Sequence, residues 1–227
     1  MKYYETNFDE YQQSKQKYNI HPELNSKISS LPKNKCDINN IILYGPSGVG
    51  KYNVALSIIN KYSNNNLKHD KKISIFSDKI EKKVKSARDK KSVQSYSRRV
   101  DFVYKMSDIH YEIDFSLLGC NARILWNEIF IQLIDIISVN QFKFGFILCK
   151  NFHCIYNEFL DVFHSYINDF SHMNNISLKF ILLAEQISFL PNNVLHYFEI
   201  IRVKRPDVKN YMDMIQCHTK HVLGTSD

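Results

Sequence analysis

Three features of the sequence predict an α/β fold, a three-layer sandwich with a central parallel sheet between helices. Short apolar runs alternate with stretches of helical spacing. A glycine-rich turn joins the first clear run to the helical stretch after it, the order a phosphate-binding loop requires. The chain has 227 residues, of which 44% are hydrophobic, enough to bury a substantial core.

The elements follow in order. The first forty residues are polar and mixed, with a helix predicted at Pro22–Ser30. Ile41, Ile42, Leu43 and Tyr44 lie between an Asn pair and Gly45-Pro46, and read as a buried strand. Val54, Ala55, Ile58 and Ile59 recur at helical spacing within 53–62. The next stretch differs in character, with thirteen Lys or Arg between Lys61 and Arg99. Within it, Ile73, Ile75 and Phe76 suggest an isolated strand, and residues 78–90 a charged, solvent-facing helix. Residues 110–115 alternate and read as a strand. Residues 121–138 are rich in Ile, Leu and Phe and too long for a strand, so they predict a buried helix. Strand 144–149, helix 156–170, strand 180–184 and strand 200–203 complete the pattern. The expected organisation is an N-terminal segment 1–21, a domain 22–206 carrying a basic insertion at about 63–100, and a tail 207–227.

Composition narrows the classes of function. Cys36, Cys120, Cys149, Cys154 and Cys217 are scattered, odd in number and outside CxxC pairs, which argues for a reducing compartment over a disulfide framework. The N-terminus lacks the apolar core of a secretory signal, and no apolar run approaches the roughly 20 residues of a membrane span. A soluble, intracellular protein is expected. The formal net charge of +7 favours an acidic partner such as nucleic acid, or simply a lysine-solubilised surface. The abundance of Asn, Ile, Lys and Tyr suggests an AT-rich genome.

Gly45-Pro46-Ser47-Gly48-Val49-Gly50-Lys51 satisfies G-x-x-x-x-G-K after a predicted strand and before a predicted helix. Its glycines let backbone N–H groups turn toward a phosphate, the helix N-terminus adds partial positive charge, and Lys51 supplies a point charge. The next residue should be Ser or Thr, because a small hydroxyl ligates Mg²⁺. Here it is Tyr52, whose hydroxyl is too far from its backbone for that task. The expected nucleotide-binding residues are therefore Gly45, Pro46, Ser47, Gly48, Val49, Gly50, Lys51 and Tyr52, with ATP or ADP held weakly, Mg²⁺ poorly, and no protein metal site.

With these stretches in view, the chain resembles the small subunits of replication factor C clamp loaders, which are AAA+ type P-loop proteins. The likeness spans about 22–206. It is carried by the loop with its preceding Leu43-Tyr44, by His110-Tyr111-Glu112-Ile113-Asp114-Phe115-Ser116, by the helix around Trp126-Asn127-Glu128-Ile129, and by Ile200-Ile201-Arg202-Val203-Lys204-Arg205-Pro206. The resemblance implies an acidic pair after strand 144–149, where Lys150-Asn151 stand instead. It implies a polar sensor after strand 180–184, where Glu185 stands, and an arginine finger where His196-Tyr197-Phe198 stand. Lysine cannot bind Mg²⁺ and asparagine cannot act as a general base. A finger alone is worth roughly 10³–10⁵ in rate. The resemblance thus implies a subunit without hydrolytic residues, a remnant of a lid in the tail, and too little chain for the collar domain. Other clamp-loader subunits, or a sliding clamp, are the implied partners. The nucleus, or a cytoplasmic replication site if the source is viral, is the implied location.

Two further readings remain beside this one: a divergent active NTPase with metal ligands elsewhere, and a scaffold that binds DNA or protein without nucleotide. The basic stretch 61–105 suits a phosphate backbone, or a solvated insertion. Cys149, His153 and Cys154, and Cys217, His218 and His221, are loose clusters in which ordinary structural roles outweigh zinc binding. Phe130, Phe144 and Phe146 read as core, not as a base-stacking platform.

Overall fold

The computed structural model describes Phe8 and residues 19–67, 71–77, 100–171 and 176–222. Helix α1 (Pro22–Ser30) leads to β1 (Asn40–Tyr44) and α2 (Lys51–Asn60). Strands β2 (Lys71–Ser77), β3 (Val100–Met106) and β4 (His110–Asp114) follow. Then come α3 (Ala122–Val139), β5 (Phe144–Lys150), α4 (Asn157–Ser171), β6 (Ser177–Ala184), α5 (Asn192–Leu195), β7 (Phe198–Arg202) and α6 (Val208–Val222).

All seven strands form one sheet in the order β2-β3-β4-β5-β6-β1-β7. The five strands from β4 to β7 in this order are parallel. Their runs are apolar on both faces because helices cover both, as parallel sheets require. One core contains Ile41 and Leu43 of β1 with Leu24 of α1 and Val54, Ala55, Ile58 and Ile59 of α2. The other contains Ile42 with Trp126, Ile129 and Leu133 of α3 and Phe163 of α4. Neighbouring residues of β1 therefore serve opposite cores, as strand alternation dictates. Phe130, Phe144 and Phe146 are all buried.

Three details differ from or add to the expected pattern. The central strands are parallel as expected, and an antiparallel edge extends them: β3 runs antiparallel to β4, and β2 antiparallel to β3. Residues 73–76 are thus not an isolated strand but the middle of β2, fully paired with β3. Strand β3 itself escaped the sequence pattern because it lies among charges and has only one buried face. Phe102 and Tyr104 are buried while Val103 between them is exposed. Finally, the tail holds helix α6, whose Val208, Tyr211, Met212 and Ile215 form an exposed apolar stripe. The helix expected at 78–90 lies outside the described residues.

The basic stretch also contributes internally. Lys61 donates from Nζ to the carbonyls of Ile28 (2.9 Å) and Leu31 (2.8 Å), closing the C-terminus of α1. The Lys105 ammonium lies 5.5 Å from the centroid of the Phe8 ring. Among the described residues, no helix is long and apolar enough to cross a membrane.

Candidate phosphate-binding site

The phosphate loop leaves the sheet between the ends of β6 and β7. Gly45 N–H donates to the Ala184 carbonyl (3.2 Å), and Val203 N–H donates to the Tyr44 carbonyl (2.8 Å). The fit at Gly45 is tight enough to exclude any side chain, since a Cβ there would lie 2.2 Å from the Val203 carbonyl oxygen. Gly50 adopts φ +89°, which favours glycine, and α2 starts at the next residue. That start is two residues earlier than helical spacing suggests, because the run of buried aliphatic residues that marks the helix begins only at Val54. Pro46, Ser47 and Gly48 are exposed, whereas Val49 is buried and anchors the loop in the core beneath α2.

Lys51 folds back over the loop. Its Nζ donates to the carbonyls of Gly45 and Pro46, both at 2.7 Å. Partial burial lowers its ammonium below the usual lysine range, and the Glu185 carboxylate offsets part of that effect. The charge is thus held where the loop begins, at the carboxyl edge of the sheet, the edge at which open α/β sheets bind ligands.

Tyr52 is committed elsewhere. Its hydroxyl donates to Oε1 of Glu112 at 2.5 Å. Glu112 is a buried carboxylate on β4, on the α2 side of the sheet. His110, two residues earlier and therefore on the same face, places Nε2 3.3 Å from the same oxygen. Ser107 Oγ hydrogen-bonds His110 Nδ1. Lys150, last in β5, lies 4.0 Å from Glu112 Oε2, and its ammonium sits 4.8 Å from the centroid of the Tyr52 ring. Burial alone pushes the Glu112 carboxyl up. The His110 hydrogen bond, the charges of His110 and Lys150, and the Tyr52 hydroxyl together outweigh it and hold the group below the ordinary carboxylate range.

The residues beyond the strand ends have partners of their own. Asn151 takes a left-handed conformation (φ +51°) and donates from Nδ2 to Asp114 Oδ1 at 2.9 Å. Asp114 also accepts from the Ser116 N–H (3.0 Å) and hydroxyl (2.5 Å). Glu185, half exposed, lies 3.8 Å from His153 Nε2. Tyr197 and Phe198 pack into the core below, with the Tyr197 hydroxyl donating to Asn168 Oδ1 at 3.0 Å. Burial pushes the Cys149 thiol well up. Burial, then Asp114 and Glu185, does the same for Cys154 to a lesser extent. Among the described residues, no three His, Cys, Asp or Glu side chains cluster as a metal site. The side chains of Cys217, His218 and His221 lie outside the described set.

Residue types and spacing located the loop, but not Glu112 or His21. Glu112 lies within the stretch 110–116, where strand alternation alone gives it no functional role. A signal was present, because an acidic residue inside an apolar strand demands buried partners. His21 lies immediately before α1, and nothing in its neighbourhood points to the loop 28 residues later. Together with Asn19, Leu24, Gly50, Asn53 and Ser57 it lines a small groove that opens to solvent beside the loop.

No protein-family model matches the chain, and no curated protein matches it. Among solved structures, the chain is similar to that of C. elegans PCH-2, with a TM-score of 0.47 and 13% identity, over 95% of this chain and 45% of that one. The chain therefore spans less than half the length of that neighbour. The classification rests instead on geometry: a parallel strand inside the sheet, a glycine-shaped turn at its carboxyl end, and a helix opening on Lys51 make this a P-loop α/β domain.

Proposed function

We propose that the chain is a non-hydrolysing P-loop subunit of a clamp-loader-like AAA+ assembly, binding ATP or ADP weakly and without need of Mg²⁺. One observation carries this reading: the Tyr52 hydroxyl is bound to the buried Glu112, beside the Lys150 ammonium. The residue that follows the loop lysine is the one expected to ligate Mg²⁺. In this chain that residue points into a buried polar network, so the site does not fit the metal. Lys150 offers a fixed positive charge in the same neighbourhood and offsets part of a phosphate's charge.

The loop fits an anion. Its backbone N–H groups and the N-terminus of α2 favour negative charge, and Lys51 stands at the loop's mouth. Hydrolysis needs a positioned water and charge stabilisation in the transition state. The positions where the resemblance implies those groups hold Lys150, Asn151 and Glu185, and the last two are engaged with Asp114 and His153. A subunit of this kind contributes by shaping an assembly whose neighbours hydrolyse. The resemblance to clamp-loader subunits supports those neighbours or a sliding clamp as partners. Contact with DNA through the basic stretch 61–105 belongs to the same reading, and within that stretch Lys61 closes α1 and Lys105 lies over Phe8.

Calorimetric titration with ATP, with and without Mg²⁺, tests the reading. The two affinities should agree within tenfold; a larger gain from Mg²⁺, above about 1.4 kcal/mol, contradicts it. ATPase assays with and without primed DNA should show background turnover only. Turnover that disappears in Lys51→Ala would establish an active NTPase instead. Affinity purification from the native source should recover AAA+ subunits or a sliding clamp, and recovery of the chain alone as a monomer would remove the clamp-loader role.

A further inference from the structure

His21 reaches the phosphate loop from outside it. The ring is buried, and its Nε2 lies 2.6 Å from the carbonyl oxygen of Val49. A carbonyl can only accept, so Nε2 carries the proton of this bond. The residue is itself held in place. Its N–H donates to Asn19 Oδ1 (3.3 Å), its carbonyl accepts from Leu24 N–H (3.1 Å), and its Nδ1 lies 3.3 Å from Glu23 Oε1.

The Val49 carbonyl belongs to the peptide unit that carries the Gly50 N–H. A trans peptide is planar, and its C=O and N–H point in opposite directions. Holding the carbonyl toward α1 therefore aims the Gly50 N–H away from α1. Gly50 has φ +89°, and glycine tolerates either sense of such a peptide. Burial of the Val49 side chain fixes the position of the loop, but does not by itself choose between the two orientations of the next peptide plane. The flipped state would turn a carbonyl oxygen, in place of an N–H, toward a bound anion.

We propose that His21 is a positioning residue of the phosphate cradle, a latch that holds the Val49–Gly50 peptide with its N–H toward the ligand. The inference rests on the nucleotide-binding reading above. It extends that site to a residue outside the loop motif, and makes the segment before α1 part of the anion-binding apparatus.

Titration of the full chain with ATP in the absence of Mg²⁺, with thermal melting as a control on folding, tests it. His21→Leu removes the donor and should weaken binding about tenfold or more, as expected for a hydrogen bond to a charged group. His21→Gln places an amide N–H near the position of Nε2 and should restore affinity to within about threefold of wild type, less than 1 kcal/mol. Binding that survives His21→Leu but is lost in Lys51→Ala overturns the latch and leaves the nucleotide reading intact. Wild-type binding that is absent, or indifferent to Lys51→Ala, overturns both. His21→Gln binding no better than His21→Leu overturns the donor role. Should His21→Leu fail to fold, the Gly50 amide resonance of the wild-type protein decides: a downfield shift on adding ATP supports the latch, and an unmoved resonance overturns it.

Discussion

Glu112 and Tyr52 show how much depends on a single pair. A carboxylate buried at the edge of an apolar core is costly unless it is paired and hydrogen-bonded. Glu112 is held by Tyr52, His110 and Lys150, drawn from three different elements. Tyr52→Phe removes one bond to a charged acceptor while the other two partners remain. Its expected destabilisation is about 1.5–3 kcal/mol, toward the lower end, read from the denaturation midpoint in urea. Acidification acts on the same group. Because its folded pKa lies below the ordinary 4.5, the stability Glu112 contributes is present above that value and lost as pH falls through the lower folded one. Unfolding free energy should therefore decline as pH drops below 4.5, and Glu112→Gln should remove this part of the decline while lowering stability near neutrality. An identical acid profile in the variant would show that other carboxylates govern it.

At the scale of elements, the loop is shaped by what passes beside it. Gly45 has to be glycine because the backbone beyond β7 crosses at contact distance. A Cβ at Gly145, on β5, would lie 2.8 Å from the end of the Ile137 side chain and 3.2 Å from the Tyr111 ring. A backbone carbonyl tied into the sheet cannot retreat, whereas an isoleucine terminus rotates. Gly45→Ala should thus destabilise more than Gly145→Ala, by about 1–3 kcal/mol of overpacking strain against a smaller net effect. Equal melting temperatures for the two variants would contradict this account. The contrast between β3 and β5 belongs to the same scale. Strand β5 is apolar on both faces and announces itself in any window. Strand β3 has charged neighbours and one wet face, and only its pairing with β2 and β4 makes it a strand.

Across the whole molecule, the sheet separates two cores of different character. The one under α3 and α4 is aromatic. Phe163 has ring neighbours Phe152 at 4.9 Å, Trp126 at 5.2 Å, Phe180 at 5.5 Å and Phe115 at 5.7 Å. The one under α1 and α2 is mainly aliphatic and carries the loop on its upper rim. Phe163→Ala should cost about 3–5 kcal/mol, a large fraction of a typical domain's stability, and should show as a marked fall in melting temperature. A variant within about 1 kcal/mol of wild type would mean that this cluster closes over the cavity.

The sequence by itself determined the α/β pattern and the strand–loop–helix around Gly45–Lys51. These depend on local spacing. It did not determine the antiparallel edge, the use of Lys61 to close α1, or the placement of His21, Glu112 and Lys150 about the loop. The reason is distance along the chain: 60 residues separate Tyr52 from Glu112, and 28 separate His21 from Val49. No periodicity spans such intervals. Only the order of the strands in the sheet brings these residues together, because it sets β4 and β5 on the face where α2 packs and leaves α1 against the loop.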